Sequence, residues 1–284
     1  TLANTEGSLL ISDEKLPQVE DEDENGNKTG TSHKTTVELK SRGNSTWMLE
    51  KKPYRLKFEK KVQLIEGGGK EKKWILLANH IDRTLLRNQI LYDWARESLG
   101  GIPFTTTTQQ VELYINGKYQ GVYLLVEQSE AGNGRVEITE PEEGTEVSLD
   151  KYGFLVEWDD MGKDEDCNFY DDVTGQWFTV KAGFLEETSS DQYVAPIKDY
   201  IESVATAIRG KNQAKIEELV DINSAVDMYI LQELVKNADV GGSSFYMSKE
   251  AGGKLVFNPP WDFDKGFGND TRGRSYKGLY VGEG

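Results

Sequence analysis

Residues 234–268 read LVKNADVGGSSFYMSKEAGGKLVFNPPWDFDKGFG, and this stretch decides the fold of the C-terminal half. Its runs 244–249 and 254–258 are typical of two β-strands, and the Gly-Gly pair between them is typical of a turn. A hairpin returns the chain to the place where it started. Asp239, which precedes the first strand, and Asp262, which follows the second, are therefore expected to be neighbours in space.

Two carboxylates at the open end of one hairpin favour a site for a cation. Like charges repel each other unless a cation, a proton or a basic residue lies between them. Mg²⁺ takes one or two carboxylates together with phosphate oxygens and water, which suits this pair. Taken singly, Asp239 and Asp262 are equally explained as turn or cap residues, and only their pairing within a hairpin favours a function.

Phosphoryl transfer uses the same arrangement of residues. One Asp orients the hydroxyl that receives the phosphate, and another, beyond a hairpin, holds Mg²⁺ on the nucleotide. Protein kinases place these residues in the motifs Asp-x-x-x-x-Asn and Asp-Phe-Gly. The corresponding segments here are Asp239-x-x-x-x-Ser244 and Asp262-Phe263-Asp264. Ser244 is a poorer metal ligand than Asn, whereas Asp264 adds a carboxyl group that the usual motif lacks.

The N-terminal half carries the patterns of β-strands. Residues 36–40 and 53–58 alternate between apolar and polar side chains. Asn116-Gly117 separates two further strand-like runs, 111–115 and 121–127, and this dipeptide is typical of a tight hairpin turn. The helical patterns lie at 82–98, at 197–208 and from Ser224 onward, and Asp82 or Thr84 is the candidate cap of the first. Apolar residues recur at helical spacing in the first helix (Leu86, Ile90, Leu91 and Trp94) and form a stripe in the last (Ala225, Met228, Tyr229, Leu231, Leu234 and Val235).

A change of composition divides the chain into two parts. Residues 128–150 are rich in Gly and Glu, as in a linker. We therefore predict an α+β protein with a strand-rich N-terminal lobe, 1–128, that includes one long helix. The C-terminal lobe, 129–284, is predicted to contain an acidic insertion, two helices and the hairpin that carries the acids.

The composition excludes several classes of protein. The 284 residues include 33 Lys+Arg and 49 Asp+Glu, which gives a formal net charge of −16. Nucleic-acid binding needs the opposite sign, and this charge favours cationic partners, although acidity also serves solubility. The single cysteine, Cys167, cannot form an internal disulfide. No run approaches the roughly 18 apolar residues of a membrane span.

Several motifs occur in the order that characterises one protein family. They are Arg42-Gly43-Asn44-Ser45-Thr46-Trp47, Lys52 to Phe58, Leu77 to Asn88, Val111 to Gln128, Lys236 to Asp239, and Trp261 to Asp264. Together they resemble the CotH family, the spore-coat type of atypical, secreted kinase-like protein. The resemblance implies a divergent two-lobed protein-kinase fold, ATP with Mg²⁺ or Mn²⁺, and transfer of phosphate to Ser or Thr of proteins.

The resemblance also implies roles for individual residues. By its motifs, Asp239 matches the catalytic Asp and Asp262 the metal-binding Asp, with Asp264 and Ser244 as further metal ligands. The family often carries Asn where Ser244 stands here. The helices expected after the metal motif are mostly absent, so the C-terminal part is predicted to be truncated.

In a two-lobed kinase the strand-rich lobe would bind the nucleotide. Lys57, on the polar face of its strand, is the candidate that pairs the phosphates, and a solvated strand lysine is the alternative. The loop 41–46 has the Gly, Asn and hydroxyl residues of a phosphate-binding nest, to which Arg42 would add its guanidinium, and an ordinary turn is the alternative. Glu127 and Gln128 end a strand just before the linker, where backbone groups would meet the adenine, and a simple strand end is the alternative.

Two acidic loops are candidate Ca²⁺ sites. Residues 21–27 match the start of an EF-hand loop, but Ser32 stands where that motif needs a bidentate Glu. The loop 159–166 is a second acidic run. A solvated surface is the alternative for both loops, because charge runs usually face water.

The sequence leaves three functions open. An active Ser/Thr kinase would act on a basic, Ser-rich protein substrate in a spore coat, on a cell surface or outside the cell. A kinase-like scaffold of a spore-coat or cellulosome-like assembly is the alternative that Ser244 and the short C-terminus motivate, and transfer of AMP is the third. Any secretion signal is expected to lie outside this segment, and the oligomeric state is left open.

Overall fold

The computed structural model of this chain belongs to the α+β class and divides into two compact units. Unit 1 comprises Thr1–His80 and Thr107–Gln128, and unit 2 comprises Ile81–Thr106 and Ser129–Gly284. The residues whose structure is described are 5–10, 19–22, 28–32, 34–43, 46–165, 167–185, 191–275 and 277–281. Within them, two larger antiparallel sheets and four α-helices confirm the predicted α+β class.

Unit 1 is built on an antiparallel sheet. Its strands in the described residues are β1 (Thr5–Leu10), β2 (Val19–Glu22), β3 (Lys28–Ser32), β4 (Lys34–Ser41), β5 (Tyr54–Val62), β6 (Glu71–Leu77), β7 (Thr108–Ile115) and β8 (Lys118–Glu127). Six of them form a sheet in the order β1-β4-β5-β6-β8-β7, and β2 and β3 form a separate two-stranded sheet. A short 3₁₀ turn, Thr46–Met48, precedes β5.

The alternation along β5 explains why one face of this sheet is buried. Leu56 and Phe58 lie in the core of unit 1, and Lys57 between them is exposed on the opposite face. Trp74 of β6 and Leu125 of β8 complete the same core. Each fully buried large apolar side chain contributes roughly 1.5–3 kcal/mol. The predicted position of Lys57 on the polar face is confirmed.

The hairpin of β7 and β8 has the turn that its sequence predicts. Asn116 and Gly117 both adopt positive φ angles, 51° and 74°, as a two-residue turn with the twist of the flanking strands requires. Ile115 pairs with Lys118 across this turn. The Asn-Gly dipeptide therefore predicts both the position of the hairpin turn and the pairing of the two residues beside it.

Unit 2 combines a five-stranded antiparallel sheet with helices. Its elements in the described residues are α1 (Arg87–Ser98), β9 (Phe154–Trp158), β10 (Asn168–Asp171), β11 (Gln176–Ala182), α2 (Asp191–Arg209), α3 (Gln213–Leu219), α4 (Ile222–Val235), β12 (Phe245–Lys249) and β13 (Leu255–Val256). The strand order is β10-β11-β9-β12-β13. Short 3₁₀ turns lie at Gly162–Asp164 and Thr271–Gly273.

The core of unit 2 lies between this sheet and α2. Phe154 and Val156 of β9 and Met247 of β12 pack with Ile197 and Ile201 of α2, and all five are buried. These residues recur at two-residue spacing on the strand and at helical spacing on α2, as burial of one face requires. No helix in the described ranges combines the length and apolarity needed to cross a membrane.

The predicted hairpin near the C-terminus is present, with a shorter second strand. Lys249 pairs with Leu255, and the Asn258 N–H still donates to the Tyr246 carbonyl at 3.2 Å. Pro259 follows directly, and proline has no N–H with which to continue the ladder. β12 also pairs with the central strand β9, so this hairpin is anchored in the sheet of unit 2.

Residues 81–106 group with unit 2, whereas the sequence prediction assigned them to the N-terminal lobe. Long-range hydrogen bonds explain this grouping. Phe104 N–H donates to Asn258 Oδ1 at 3.1 Å, and Gly101 N–H donates to Asp227 Oδ2 at 2.7 Å. These contacts tie α1 and the segment after it to the part of the chain that carries the hairpin.

Candidate active site

Asn237 joins the two ends of the hairpin. Helix α4 ends at Val235, and Lys236 adopts a left-handed conformation that turns the chain into the loop 237–244. The Asn237 side chain accepts the Asp239 N–H at 3.3 Å and donates to the Asp262 carbonyl at 3.2 Å. The segments that carry Asp239 and Asp262 therefore lie in one neighbourhood of unit 2.

The backbone of Asp262 is held in a rare conformation. Its φ angle is 65°, in the left-handed region that non-glycine residues seldom occupy. Two side chains of α1 fix it: Tyr92 OH accepts the Asp262 N–H at 3.2 Å, and Asn88 Oδ1 accepts the Phe263 N–H at 2.7 Å. Tyr92 also stacks on Trp261, with ring centroids 5.7 Å apart. Such strain persists only where the surroundings over-determine it, which is frequent at functional sites.

Asp264 is a buried carboxyl group beside another acid. Its side chain is only 7% exposed and makes no hydrogen bond within the described part of the chain. Burial, and then the charge of Asp262, raise the pKa of Asp264 to about 8, and the Lys265 ammonium opposes this shift only in part. Ser244 Oγ donates to Asp262 Oδ2 at 3.4 Å. These three predicted metal ligands thus lie together.

Two cations hold the carboxylate of Asp239. Lys265 Nζ lies 2.9 Å from Oδ1 and 2.7 Å from Oδ2, and one Arg272 nitrogen lies 3.3 Å from Oδ1. Burial alone would lower the pKa of Lys265, but its hydrogen bond to Asp239 and the nearby acids raise it above the usual value. Hydrogen bonds from Arg272 hold the pKa of Asp270 below its usual range. Asp239 is therefore fixed in place by charge.

The acids fit a divalent cation that completes its coordination with other ligands. No group of three or more His, Cys, Asp or Glu side chains suited to a metal occurs in the ranges that the structure describes. A buried carboxyl group that lacks a hydrogen bond nevertheless needs a proton or a cation. Asp262 and Asp264 suit Mg²⁺, which binds one or two carboxylates and takes its remaining ligands from phosphate and water.

The other predicted site residues belong to unit 1 and are described there. Lys57 is exposed on β5, where it pairs in register with Glu38 and Lys73. Arg42 is half-buried, and its N–H donates to the Pro53 carbonyl at 3.3 Å. Residues 44–45 of the predicted phosphate-binding loop lie outside the described residues. The phosphate-binding roles of Lys57 and Arg42 stay predictions.

The carboxylate of Glu127 accepts hydrogen bonds that stabilise the fold of unit 1. The side chain is 1% exposed, and it accepts the Gly69 N–H at 2.6 Å and both the N–H and the hydroxyl of Thr107 at 2.9 Å. A ligand would therefore meet only the backbone of Glu127. The predicted adenine contact at Glu127 and Gln128 involves backbone groups and stays a prediction.

The acidic loops give no clear metal site. Residues 23–27 of the EF-hand-like segment lie outside the described residues. In the second loop, the Asp159 carboxylate accepts the Met161 N–H at 3.0 Å, as in an ordinary Asx turn. The Ca²⁺ prediction for these loops thus gains no support from the described geometry.

A family model described as CotH kinase protein matches residues 39–283. The chain belongs to the CotH kinase family. This match confirms the resemblance carried by the sequence motifs, and it covers every residue predicted for catalysis, nucleotide binding and Mg²⁺, from Arg42 to Asp264. A search of curated proteins gives no match.

Sequence reasoning missed several residues that shape the site of this CotH kinase family member. Asn88 and Asn237 lie inside the motifs that carried the resemblance, but only the structure shows that they hold the backbone around Asp262. The sequence motifs assign no role in the site to Tyr92, Lys265 or Arg272. A lysine that directly follows the Asp262-Phe263-Asp264 motif, in a strongly acidic chain, is the signal that would have identified Lys265.

Asp82, which was predicted as a possible helix cap, instead closes a buried network before α1. It is 0% exposed and accepts the N–H groups of Thr84 (3.0 Å) and Arg87 (2.9 Å), and it also pairs with the Arg87 guanidinium. Arg87 Nε donates to the Gly266 carbonyl at 3.0 Å. Helix α1 therefore begins at Arg87, after this network, and not at Asp82 or Thr84.

Replacing Asp82 by Ala is expected to lower the free energy of unfolding by about 3 kcal/mol, because it leaves the partly buried Arg87 without its partner. Burial alone would raise the pKa of Asp82, but hydrogen bonds from Arg87 and Thr84 lower it overall. The stabilisation is therefore present above the unfolded pKa of 3.8 and declines as the pH falls below it. Urea unfolding measures it, and Glu218→Ala, in an exposed pair, should cost under about 1 kcal/mol.

Proposed function

We propose that this chain is a protein kinase that transfers the γ-phosphoryl group of ATP to Ser or Thr hydroxyls of proteins, with Mg²⁺. The observation that carries the proposal is the convergence of Asp239, Asp262 and Asp264 at the open end of one hairpin in unit 2. Membership of the CotH kinase family supports the same reaction. The proposal includes the two-lobed arrangement of protein kinases.

Asp239 would act on the hydroxyl of the substrate. The hydroxyl oxygen forms a bond to the γ-phosphorus, the bond from that phosphorus to the β,γ-bridging oxygen breaks, and ADP leaves with the electron pair. The proton of the hydroxyl passes to the Asp239 carboxylate. Because Asn237 and Lys265 both hold Asp239, its carboxylate is oriented before the substrate arrives.

Asp262 and Asp264, with Ser244 beside them, would hold the metal on the nucleotide. When bound, Mg²⁺ would neutralise negative charge on the phosphates. The left-handed backbone at Asp262 aims this side chain, and the hydrogen bonds that Tyr92 and Asn88 accept from residues 262–263 keep it there. Lys57 and Arg42 are proposed to contact the phosphates, and the backbone at Glu127 and Gln128 the adenine.

The substrate is proposed to be basic and rich in serine. The chain has a formal net charge of −16, and a surface of this sign attracts cationic polypeptides. The family description suggests a spore coat, and a cell surface or the extracellular space is the alternative location. The charge gives no basis for a nucleic-acid partner.

A kinase-like scaffold without turnover is the second candidate, and one observation favours it. Lys265 and Arg272 both occupy the Asp239 carboxylate, which a substrate hydroxyl must reach. A scaffold would bind a nucleotide or a partner protein and leave ATP unchanged.

Phosphate transfer from labelled ATP tests the proposal directly. The purified chain is incubated with γ-labelled ATP, Mg²⁺ and a basic, Ser-rich polypeptide, and Asp239→Asn serves as the matched variant. Incorporation by the wild type that is lost in Asp239→Asn supports the kinase. Calorimetry on the same samples measures nucleotide binding.

Other results assign the chain to another function. Mg²⁺-dependent ATP binding without transfer favours the scaffold. Transfer from α-labelled but not γ-labelled ATP, with the mass of AMP on the substrate, would show AMP transfer instead. Equal incorporation by the wild type and Asp239→Asn would exclude Asp239 from the reaction.

A further inference from the structure

Lys265 occupies a central position among the acids of the site. It follows Asp264 directly, and a turn in which Gly266 N–H donates to the Phe263 carbonyl at 2.9 Å directs the chain back toward Asp239. Its ammonium then lies within 2.9 Å of both carboxylate oxygens of Asp239. One lysine thus links the segment of the metal acids to the residue that would receive the proton.

The ammonium of Lys265 retains a donor for a ligand. A lysine ammonium has three N–H groups, and two suffice for the two oxygens of Asp239. Within the described residues, no second acceptor lies in hydrogen-bond distance of this nitrogen. The side chain is 32% exposed, so the third N–H remains accessible.

Arg272, the other cation on Asp239, is placed differently. Its guanidinium already forks onto Asp270, with distances of 2.9 and 3.1 Å, and it reaches Asp239 only at 3.3 Å. It is also more exposed, at 54%. Three of its five N–H donors are therefore engaged, by Asp270 and Asp239, whereas the Lys265 ammonium is less exposed and contacts both carboxylate oxygens of Asp239.

The negative charges around Lys265 bear on which anion its ammonium would bind. Asp239, Asp262 and Asp264 would repel an incoming phosphoryl group unless a cation offsets them. Resting on the proposed function, we propose that Lys265 is a further catalytic residue: its ammonium holds Asp239 and donates its remaining N–H to an oxygen of the transferred γ-phosphoryl group. One side chain then places the proton acceptor and the phosphoryl group next to each other.

The contact with the γ-phosphoryl group gives a binding test that does not depend on turnover. Calorimetry compares Mg²⁺–ADP with a Mg²⁺-bound, non-hydrolysable ATP analogue. Lys265→Met is expected to weaken binding of the triphosphate about ten-fold and to leave binding of the diphosphate within about two-fold, since only the triphosphate has the oxygen that Lys265 contacts. Lys254→Met removes an exposed lysine on the β12–β13 turn and should change neither affinity.

Turnover supplies the second readout. Lys265→Met is expected to lower kcat about 100-fold with little change in the KM for the polypeptide, as for loss of one preorganised donor. Lys265→Arg keeps the charge and should restore part of the rate. Thermal unfolding of each variant verifies that the fold is intact.

Several outcomes would overturn the inference. Equal weakening of the diphosphate and the triphosphate would show that Lys265 acts on the site as a whole and not on the γ-phosphoryl group. A kcat that is unchanged without Lys265 would mean that the lysine only pairs with Asp239 and has no role in the reaction. A kcat that rises would mean that the lysine blocks access to the Asp239 carboxylate. If the wild type binds the triphosphate more tightly than the diphosphate through Lys265 but transfers no phosphate, the kinase function is refuted. The contact between Lys265 and the γ-phosphoryl group then still stands. A wild type that binds no nucleotide refutes both.

Discussion

Replacing Asp262 by Asn will lower phosphoryl transfer at least about 1,000-fold, because a metal ion that stabilises charge contributes several kcal/mol to such a reaction. The variant keeps the shape of the side chain and removes its charge. Of the two carboxylates proposed to hold Mg²⁺, only that of Asp264 would then remain. The rate is measured with labelled ATP and a basic, Ser-rich polypeptide, at saturating Mg²⁺.

The fold of this variant is expected to survive. Asn tolerates the left-handed backbone at position 262 as well as Asp does. Tyr92 and Asn88 accept from backbone N–H groups of residues 262–263, and Asn237 donates to the Asp262 carbonyl, so the substitution leaves these hydrogen bonds intact. The thermal midpoint should therefore stay near that of the wild type, which separates a chemical effect from unfolding.

Nucleotide binding adds a more specific expectation. In the wild type, Mg²⁺ should strengthen ATP binding, and in Asp262→Asn that gain should be lost. Asp199→Asn, an exposed acid on α2, is the matched control and should behave as the wild type does. A folded Asp262→Asn protein that keeps a tenth or more of the wild-type rate would remove Asp262 from the metal site.

Local signals were sufficient to predict much of the fold. The Asn116-Gly117 turn and the alternation along β5 depend on neighbouring residues, and the structure confirms both. The paired strands β12 and β13 follow from two apolar runs and a glycine turn. The neighbourhood of Asp239 and Asp262 was predictable for the same reason, since a hairpin fixes where its ends lie.

The faces of two helices were predicted less well. The apolar spacing in α1 included Ile90, which is exposed, whereas Asn88 and Tyr92 are buried. The apolar residues of helix α4 lie on more than one of its faces, so their spacing does not indicate which side faces the core, and Leu234 proves exposed. The buried face of α1 combines the apolar Leu91 and Ala95 with Asn88 and Tyr92, whose polar groups hold the backbone near Asp262. Periodicity cannot reveal such a role.

The contacts that complete the site are long-range and were not predictable. Tyr92 reaches Asp262, and Arg87 reaches Gly266, across more than half of the chain. Lys265 lies close to Asp262 and Asp264 in sequence, yet its ammonium contacts Asp239. Local patterns determine strands and turns, whereas these contacts depend on how separate elements pack.

The second large effect concerns the affinity for Mg²⁺, which is expected to rise steeply with pH because of Asp264. The pKa of this buried carboxyl is raised to about 8, by burial first and then by the charge of Asp262. A metal ion must therefore displace a proton from Asp264 at neutral pH. Between about pH 6 and pH 8 the apparent Mg²⁺ affinity should rise about 100-fold, or ten-fold per unit.

Calorimetry in buffers of different ionisation enthalpy measures the protons released, and close to one per Mg²⁺ is expected at neutral pH. Asp264→Asn should bind Mg²⁺ more weakly and lose the dependence on pH. Asp172→Asn removes a carboxylate that is 78% exposed, and it should leave the slope unchanged. A wild-type affinity that is flat across this range would mean that Asp264 is not a ligand.

The same shift determines how the metal-free protein responds to pH. A folded pKa of about 8 exceeds the unfolded value of 3.8, so the folded state binds the extra proton between them. Its contribution to stability is full below the unfolded value and declines as the pH rises to the folded one, by an amount on the order of a few kcal/mol. Mg²⁺ replaces the lost proton, so it should raise the thermal midpoint more at alkaline than at acidic pH. Asp264→Asn should show neither the decline nor the rescue, because an amide at this position has no proton to lose.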